Sequence, residues 1–279
     1  MPEPAVSVVV PTRGRAGYLA TALASITAQR LDAEFELLVV DDGCGDETAR
    51  AAAAAGVARE RTRTRGLNGA RNTGIAATTA PLIAFVDDDV RVPPGWLAAI
   101  VEGARRHPEA EAFAGPIRPS LEGPAPRSCG REAPPITTLD LGPEDRETDI
   151  AWGANLIVRR SAVERIGAFD PDIPFYGDEA DWVQRLRAAG GRVAYLAAAG
   201  LDHRRTGADA RLRALARAEY RRGRNARRSG VRKGTAPSLA RELRDLCGAG
   251  WHTAHRRCPL GIAMAAHSLG RLTEALRGQ

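Results

Sequence analysis

The chain has 279 residues, 44% of them hydrophobic and 27% charged, which is enough apolar content to fill a core and excludes a globally disordered chain. Its formal net charge of +6 is unevenly spread: residues 203–279 carry 18 Arg and Lys against 5 Asp and Glu, and residues 1–202 carry 22 against 29. No run approaches the roughly 20 apolar residues of a membrane span, and no basic segment leads into an apolar one at the N-terminus, so a cytoplasmic protein is expected.

Residues 6–10 form a short β-branched run stopped by Pro11, the pattern of a buried parallel strand. Residues 16–29 fit a helix with Leu19, Leu23 and Ile26 on one face. A second strand over 35–40 stops at Asp41-Asp42-Gly43, followed by an alanine-rich helix over 47–55 and a weak strand near Val57. A helix over 68–77 precedes a strand over 81–86, which ends at Asp87-Asp88-Asp89. Pro93-Pro94 then introduces a helix over 95–106, since proline is tolerated in a first turn. Alternating strands and helices at this spacing predict a doubly wound α/β fold with a mostly parallel sheet. Ligands of such sheets bind beyond the carboxyl ends of the strands, where Thr12, Asp41, Asp42 and the 87–89 triplet fall.

The pattern breaks between Arg118 and Asp149, a stretch with six prolines and seven acidic residues. A substrate-binding loop and a plain solvated connection are both open there. Regularity returns with a strand over 152–158, a short helix over 161–166, an amphipathic helix over 178–189 anchored by Trp182, Val183 and Leu186, and a last edge strand over 192–196. Helices follow over 209–228, 237–247 and 259–276, with breaks expected at Gly230 and Pro237. The expected organisation is an α/β domain over 1–205, divided into 1–117, the long loop 118–150 and 151–205, and a basic helical extension over 206–279. Cys44, Cys129, Cys247 and Cys258 are scattered without paired spacing, which argues for reduced thiols over disulfides or a cysteine zinc site.

Three acidic clusters carry the chemistry. Carboxylates crowded at a sheet edge raise one another's proton affinity, and a divalent cation removes that cost, so Asp87-Asp88-Asp89 suits Mg2+ or Mn2+. The alternative is a solvated turn that caps the next helix. Asp41-Asp42 is suited to base or ribose recognition, or to a capped turn. Asp178, Glu179 and Asp181 open a helix, where a carboxylate is favoured electrostatically and one could also serve as a general base. Trp182 is open to core packing or to stacking on a sugar. His203 could complete a metal site or sit at the surface.

In their order and placement these pieces resemble the inverting glycosyltransferases of family 2, over residues 6–205. Val8-Val9-Val10-Pro11-Thr12-Arg13-Gly14-Arg15 is similar to the opening strand and nucleotide loop, and Leu38-Val39-Val40-Asp41-Asp42-Gly43 to the base-binding turn, with Cys44 where serine is usual. Gly69-Ala70-Arg71-Asn72-Thr73-Gly74 resembles the donor-side helix start, and Phe85-Val86-Asp87-Asp88-Asp89 the Asp-x-Asp metal element. Trp152-Gly153-Ala154-Asn155, with Gly167-Ala168-Phe169-Asp170, is similar to the acceptor segment. Gly177-Asp178-Glu179-Ala180-Asp181-Trp182 resembles the Glu-Asp-x-Asp segment with its first two acids exchanged.

The resemblance implies a GT-A fold and transfer of a sugar from a nucleoside-diphosphate donor, most often UDP-linked, to an acceptor hydroxyl. It makes 1–205 the catalytic domain, with 1–117 the nucleotide-sugar-binding half and 151–205 the acceptor side. Glu179 would be the base, with Asp178 its rival. Asp87, Asp89 and His203 would hold Mn2+ or Mg2+. Pro11, Thr12, Arg13, Arg15, Asp41, Asp42, Asn68, Arg71, Asp87 and Asp88 would bind the donor. Trp152, Gly153, Ala154, Asn155 and Trp182 would bind the acceptor. The run 217–233 has eight basic residues, open to a solvated helical face, peripheral contact with anionic lipid at the inner membrane face, or a phosphate-bearing acceptor. The last helices are open to homodimer formation. Binding without turnover is the main alternative function. Nucleic-acid binding is disfavoured, because no compact recognition motif accompanies the charge. A nucleotidyltransferase would want a glycine-rich triphosphate loop that residues 11–15 fit poorly.

Overall fold

The computed structural model describes residues 3–43, 45–173, 178–232 and 234–277. Cys44, Gly177, Lys233 and the side chain of Asp178 therefore lie outside the described residues. The chain divides into two compact units, Met1–Arg118 with Thr138–His203, and Pro119–Thr137 with Arg204–Gln279.

In the first unit, β1 (Val6–Thr12), α1 (Ala16–Thr27), β2 (Phe35–Asp41), α2 (Asp46–Ala54), β3 (Ala58–Arg61), α3 (Leu67–Ala77) and β4 (Leu82–Val86) follow the expected alternation. After them come β5 (Val90–Arg91), α4 (Trp96–Arg106), β6 (Ala110–Ala114), β7 (Ile117–Glu122), which belongs to the second unit from Pro119 on, and β8 (Arg146–Thr148). The unit continues through β9 (Asn155–Arg159), α5 (Arg160–Ile166), α6 (Asp178–Ala188) and β10 (Arg192–Tyr195), and the chain leaves it along β11 (Leu201–Thr206). The main sheet has eight strands in the order β3-β2-β1-β4-β9-β6-β10-β8. Strands β3, β2, β1 and β4 are parallel, β9 is antiparallel to both β4 and β6, and β10 is parallel to β6. Every residue of β1 and β4 is buried, as continuous apolar runs in a parallel sheet require.

Helix α3 lies hard against this sheet because it lacks side chains where it touches. A Cβ on Gly74 would come within 2.3 Å of Val9 Cγ1, and one on Gly69 within 1.8 Å of the Thr64 carbonyl oxygen. That close approach sets the height of α3 above the carboxyl end of β1.

Several expectations need correction. The run 192–196 is not an edge strand, since β10 is hydrogen-bonded between β6 and β8. The irregular stretch after residue 118 contains the end of β7 and all of β8, and Ile117 pairs with Leu139 across an antiparallel bridge. The strand expected from 152 begins at Asn155, after a turn closed by the Asn155 N–H on the Trp152 carbonyl at 2.9 Å.

The second unit is built on α7 (Leu212–Arg232), α8 (Leu239–His255) and α9 (Gly261–Arg277). No break occurs at Gly230, through which α7 runs. A Cβ on Gly223 would meet the His267 carbonyl oxygen at 2.0 Å, and one on Gly270 the Tyr220 carbonyl oxygen at 2.1 Å, so α7 and α9 pack with their backbones nearly touching. Among the described residues of the basic run, Arg222 pairs with Glu219 at 2.8 Å, Arg224 and Arg228 with Glu274 at 2.8 and 2.6 Å, and Arg227 with Glu242 at 3.5 Å. These arginines are internal counter-ions of a helical bundle more than an open cationic face. Among the described residues no helix is long and apolar enough to cross a membrane.

Candidate functional site

The carboxyl ends of β1, β2 and β4 open onto one cavity of about 300 Å3, lined by Pro11, Thr12, Arg13, Arg15, Asp42, Asp87 and Asp88 and by the start of α3 at Gly66, Leu67 and Ala70. The loops that reach it come from residues far apart in sequence, and they meet because β2 and β4 flank β1 in parallel register. A larger cavity of about 660 Å3 in the second unit is bordered by the paired Glu219, Arg222 and Arg271. His267 faces Glu219 there at 3.0 Å, but among the described residues no three ligand side chains converge on it as they do in the set described next.

Asp87, Asp89 and His203 bring ligand atoms within 4.8 Å of one another. The β5–β11 pairing, in which His203 stands opposite Val90, delivers the imidazole to the triplet. His203 Nε2 lies 3.3 Å from Asp89 Oδ1, and both side chains are buried. Burial, and after it the neighbouring Asp89 charge, pushes the Asp87 carboxyl above the ordinary aspartate range. Asp88 is pushed up to about 7 by burial, although Arg15 and the Thr12 hydroxyl favour its charged form. Two carboxylates and an imidazole at this spacing fit a hard divalent cation, whose charge would remove the repulsion they now bear.

Asp88 itself is tied back. The Thr12 hydroxyl donates to its Oδ2 at 2.6 Å, and Arg15 Nη2 lies 3.2 Å from its Oδ1. Arg15 also pairs with Asp89 and lies over the Tyr18 ring, 4.9 Å from its centroid. Burial works against the Arg15 charge, but Asp89 and Asp88 overcome it and raise its proton affinity.

The two aspartates after β2 divide their roles. Asp41 is buried in the turn, with Oδ1 accepting the Gly43 N–H at 2.8 Å and Oδ2 facing Arg59 Nη1 at 3.1 Å. Asp42 faces the cavity and accepts the Gly66 N–H at 3.2 Å, with Arg13 3.6 Å away. Arg59 and Gly66 were missed in the sequence. The local signal for Gly66 is a glycine just ahead of a helical pattern, and it adopts a φ of +102° that other residues avoid.

Arg71 is buried, with its guanidinium carbon 5.3 Å from the centroid of the Phe169 ring. Its charge favours ionised Asp87, and its Nη2 lies 1.8 Å from where a Cβ on Gly153 would be. The Gly153 N–H in turn points at Glu179 Oε1, 3.5 Å away in the first turn of α6. Asp87, Arg71, Gly153 and Glu179 are therefore consecutive neighbours, which links the candidate base to the candidate metal cluster.

Other expected site residues are structural. Trp182 is fully buried, packs at 5.9 Å on Phe169 and donates its Nε1–H to the Gly167 carbonyl at 3.0 Å, so it offers no face to an acceptor. Asn155 is buried, donating to the carbonyls of Ala199 and Pro116 at 2.8 and 3.3 Å. Asn68 is likewise buried, with its amide donating to the Asp170 carbonyl at 2.6 Å. Gly153 and Ala154 are buried, leaving Trp152 the half-exposed member of the expected acceptor set.

Residues 7–167 match the model of glycosyl transferase family 2, more than half of the chain. The chain is 31% identical over 212 residues to the pre-mycofactocin glycosyltransferase of Mycobacterium tuberculosis, covering 71% of this chain and 43% of that protein. It is 26% identical over 197 residues to the glycosyltransferase AglE of Haloferax volcanii, covering 67% and 62% respectively. The chain thus spans between two fifths and two thirds of these relatives' own length. Among solved structures, the mannosyltransferase PcManGT of Pyrobaculum calidifontis, in complex with GDP-Man and Mn2+, superposes with a TM-score of 0.59 at 19% identity, covering 99% of this chain and 75% of that one. The fold is GT-A-like, and the chain belongs to glycosyl transferase family 2.

Proposed function

We propose that this chain transfers a sugar from a nucleoside-diphosphate donor to an acceptor hydroxyl by a single inverting displacement. The observation that carries the reading is the convergence of Asp87, Asp89 and His203 into one ligand set beside the cavity at the ends of β1, β2 and β4. Mn2+ or Mg2+ held there would supply charge against the diphosphate leaving group. Arg13 and Arg15 line the same cavity and add positive charge for the phosphates, while Asp42 is placed to accept hydrogen bonds from a base or ribose. Buried Arg71 favours the charged form of Asp87 against the burial that raises it, and its guanidinium fills the space beside Gly153.

Glu179 takes the proton of the acceptor hydroxyl as that oxygen attacks the anomeric carbon. Its carboxylate is oriented by the Gly153 N–H, and it stands at the start of the helix face that Trp182 and Leu186, one and two turns on, lock into the core. Asp178, one residue earlier, is the rival base. A UDP-linked donor is the first to test. A GDP-linked donor is the second, because the PcManGT complex holds GDP-Man.

The test is a panel of sugar nucleotides in a thermal-shift assay with and without Mn2+, followed by an acceptor screen. The expected result is Mn2+-dependent stabilisation by one donor and transfer to some acceptor. Stabilisation with neither transfer nor donor hydrolysis would instead favour a nucleotide-sugar-binding protein. No response to any nucleotide would refute both readings.

A further inference from the structure

The second unit brings together Cys129, Glu132, His252 and Cys258, whose ligand atoms all lie within 4.8 Å of one another. In sequence these residues form two distant pairs, Cys129 with Glu132 and His252 with Cys258, so no metal-binding spacing is visible in the chain. The fold joins them where the 119–137 segment meets the corner between α8 and α9.

Three edges of the cluster match those of a tetrahedral site. Zinc bonds of about 2.3 Å to sulfur and about 2.0–2.2 Å to nitrogen or oxygen, at tetrahedral angles, place an S and an N or O ligand about 3.5 Å apart. Cys129 Sγ lies 3.5 Å from His252 Nε2 and 3.2 Å from Glu132 Oε2, and Cys258 Sγ lies 3.8 Å from the same carboxylate oxygen. We infer that Cys129, Glu132, His252 and Cys258 form a structural zinc site in the helical unit.

The surroundings hold each ligand in place. The Glu132 carboxylate accepts the N–H groups of Cys129 and Arg131 at 3.2 and 3.1 Å and the hydroxyl of Ser128. His252 lies in the last turn of α8. Cys258 follows Arg257, whose φ of +48° is the one left-handed non-glycine conformation among the described residues, and its N–H returns to the Thr253 carbonyl at 3.2 Å. Cys258 is buried beside Ile136, Leu215 and Leu260, so its sulfur faces the cluster from an apolar base. Two thiolates make the site soft, which selects zinc over the magnesium or manganese suited to Asp87, Asp89 and His203. Four protein ligands close the coordination sphere, as in sites that hold structure and not substrate. On binding, zinc takes the place of the two thiol protons, which pass to solvent.

The experiment uses the full chain, purified without chelator, with zinc measured by mass spectrometry. The metal-free chain is then refilled with Co2+ and its absorption spectrum recorded. About one zinc per chain is expected, and the cobalt form should show thiolate-to-metal charge transfer and the d–d bands of tetrahedral geometry. Asp89→Ala should keep both signals, which separates this site from the donor-side cluster. Cys258→Ser and His252→Ala should lose at least tenfold in zinc content. Should Cys258→Ser not fold, the exposed position of Cys129 makes Cys129→Ser the substitute, with the same loss expected. Less than a tenth of a zinc per chain with no cobalt charge transfer would overturn the assignment. So would a Cys129–Cys258 disulfide in the chain as isolated.

Discussion

The guanidinium of Arg15 is paired with the carboxylate of Asp89, 74 residues away in the chain, while the other oxygen of that carboxylate faces His203 at 3.3 Å. One acidic group is thus shared between an arginine and a cluster suited to a cation. Arg15 and a bound Mn2+ draw on the same negative charge. Removing the arginine should strengthen binding of the bare ion and weaken binding of a donor whose phosphates Arg15 would meet. Arg15 is partly exposed, with a side chain 41% accessible, so the ion pair is worth about 1 kcal/mol or less and the change stays within about tenfold. Mn2+ titration of Arg15→Ala without nucleotide, read by the loss of the free-ion magnetic resonance signal, should show about two- to fivefold tighter binding. Unchanged or weaker Mn2+ affinity would mean that the arginine does not compete for Asp89.

Gly153 is the hinge of the link between donor and base. An alanine Cβ there would overlap Arg71 Nη2 at 1.8 Å, and Arg71 is too deeply buried to swing aside. Either the turn or the guanidinium must move, and the Gly153 N–H aimed at Glu179 moves with it. Catalysis is sensitive to displacements of an ångström, so kcat of Gly153→Ala should fall about 100-fold. Donor affinity should change by much less, because Arg13, Arg15 and Asp42 are untouched. A variant with the wild-type kcat would show that this turn does not position the base.

Glu179→Gln keeps the size of the side chain and removes its basicity. Donor-dependent stabilisation should survive while transfer drops by at least about 100-fold, the usual scale of a general base. Retained activity would pass the role to Asp178.

The parts of this architecture visible in the sequence are those where local pattern and tertiary demand agree. Strands β1, β2 and β4 are apolar runs, and the aspartates that follow β2 and β4 stand out because like charges rarely crowd without a partner, although β1 runs on through Pro11 to Thr12 where the proline suggested a stop. Strand β6 is invisible there because Ala110-Glu111-Ala112-Phe113-Ala114 has helical propensity, and its extended state is imposed by β9 and β10 on either side. Strand β11 is polar and carries no alternation, so the arrival of His203 opposite Val90 depends on pairing that no local signal records. Successive residues at a strand end point to opposite sides, which separates Asp41 in the turn from Asp42 in the cavity. The partner that fixes Asp41, Arg59, comes from the neighbouring strand. Trp182 is ambiguous in the sequence because aromatic residues serve both cores and sugar sites. Its spacing of four from Leu186 places both on the buried face.

Two glycines on helices should respond to alanine with opposite signs. Gly74 meets Val9 Cγ1 at 2.3 Å once a Cβ is added, in a fully packed interior. Gly74→Ala forces α3 away from β1 and should cost about 1–3 kcal/mol, the usual range for overpacking. Gly17, in the first turn of α1, has nothing within 4 Å of the point where a Cβ would stand, so Gly17→Ala should be neutral or stabilising by up to about 1 kcal/mol. Thermal melts of both variants decide it. Equal shifts of one sign would contradict the close packing of α3.

Asp145 gives the stability of the first unit a defined pH dependence. Its burial alone would raise the carboxyl, yet the Ala197 N–H at 2.9 Å, His107 Nε2 at 3.0 Å and Arg106 Nη1 at 2.8 Å overcome that and hold it below the ordinary aspartate range. A folded-state affinity for protons lower than the unfolded one means that the unfolded chain takes up the proton first as pH falls. The stabilisation is therefore fully present above the unfolded value of about 4 and is lost as pH drops through the lower folded value. Asp145→Asn should melt a few degrees below the wild type at pH 7, and the two curves should converge below about pH 4. The amide keeps one acceptor oxygen for the Ala197 N–H but has no charge for Arg106, so convergence isolates the electrostatic part. A gap that stays constant from pH 7 down to pH 3 would show that the loss comes from packing at residue 145 and not from its charge.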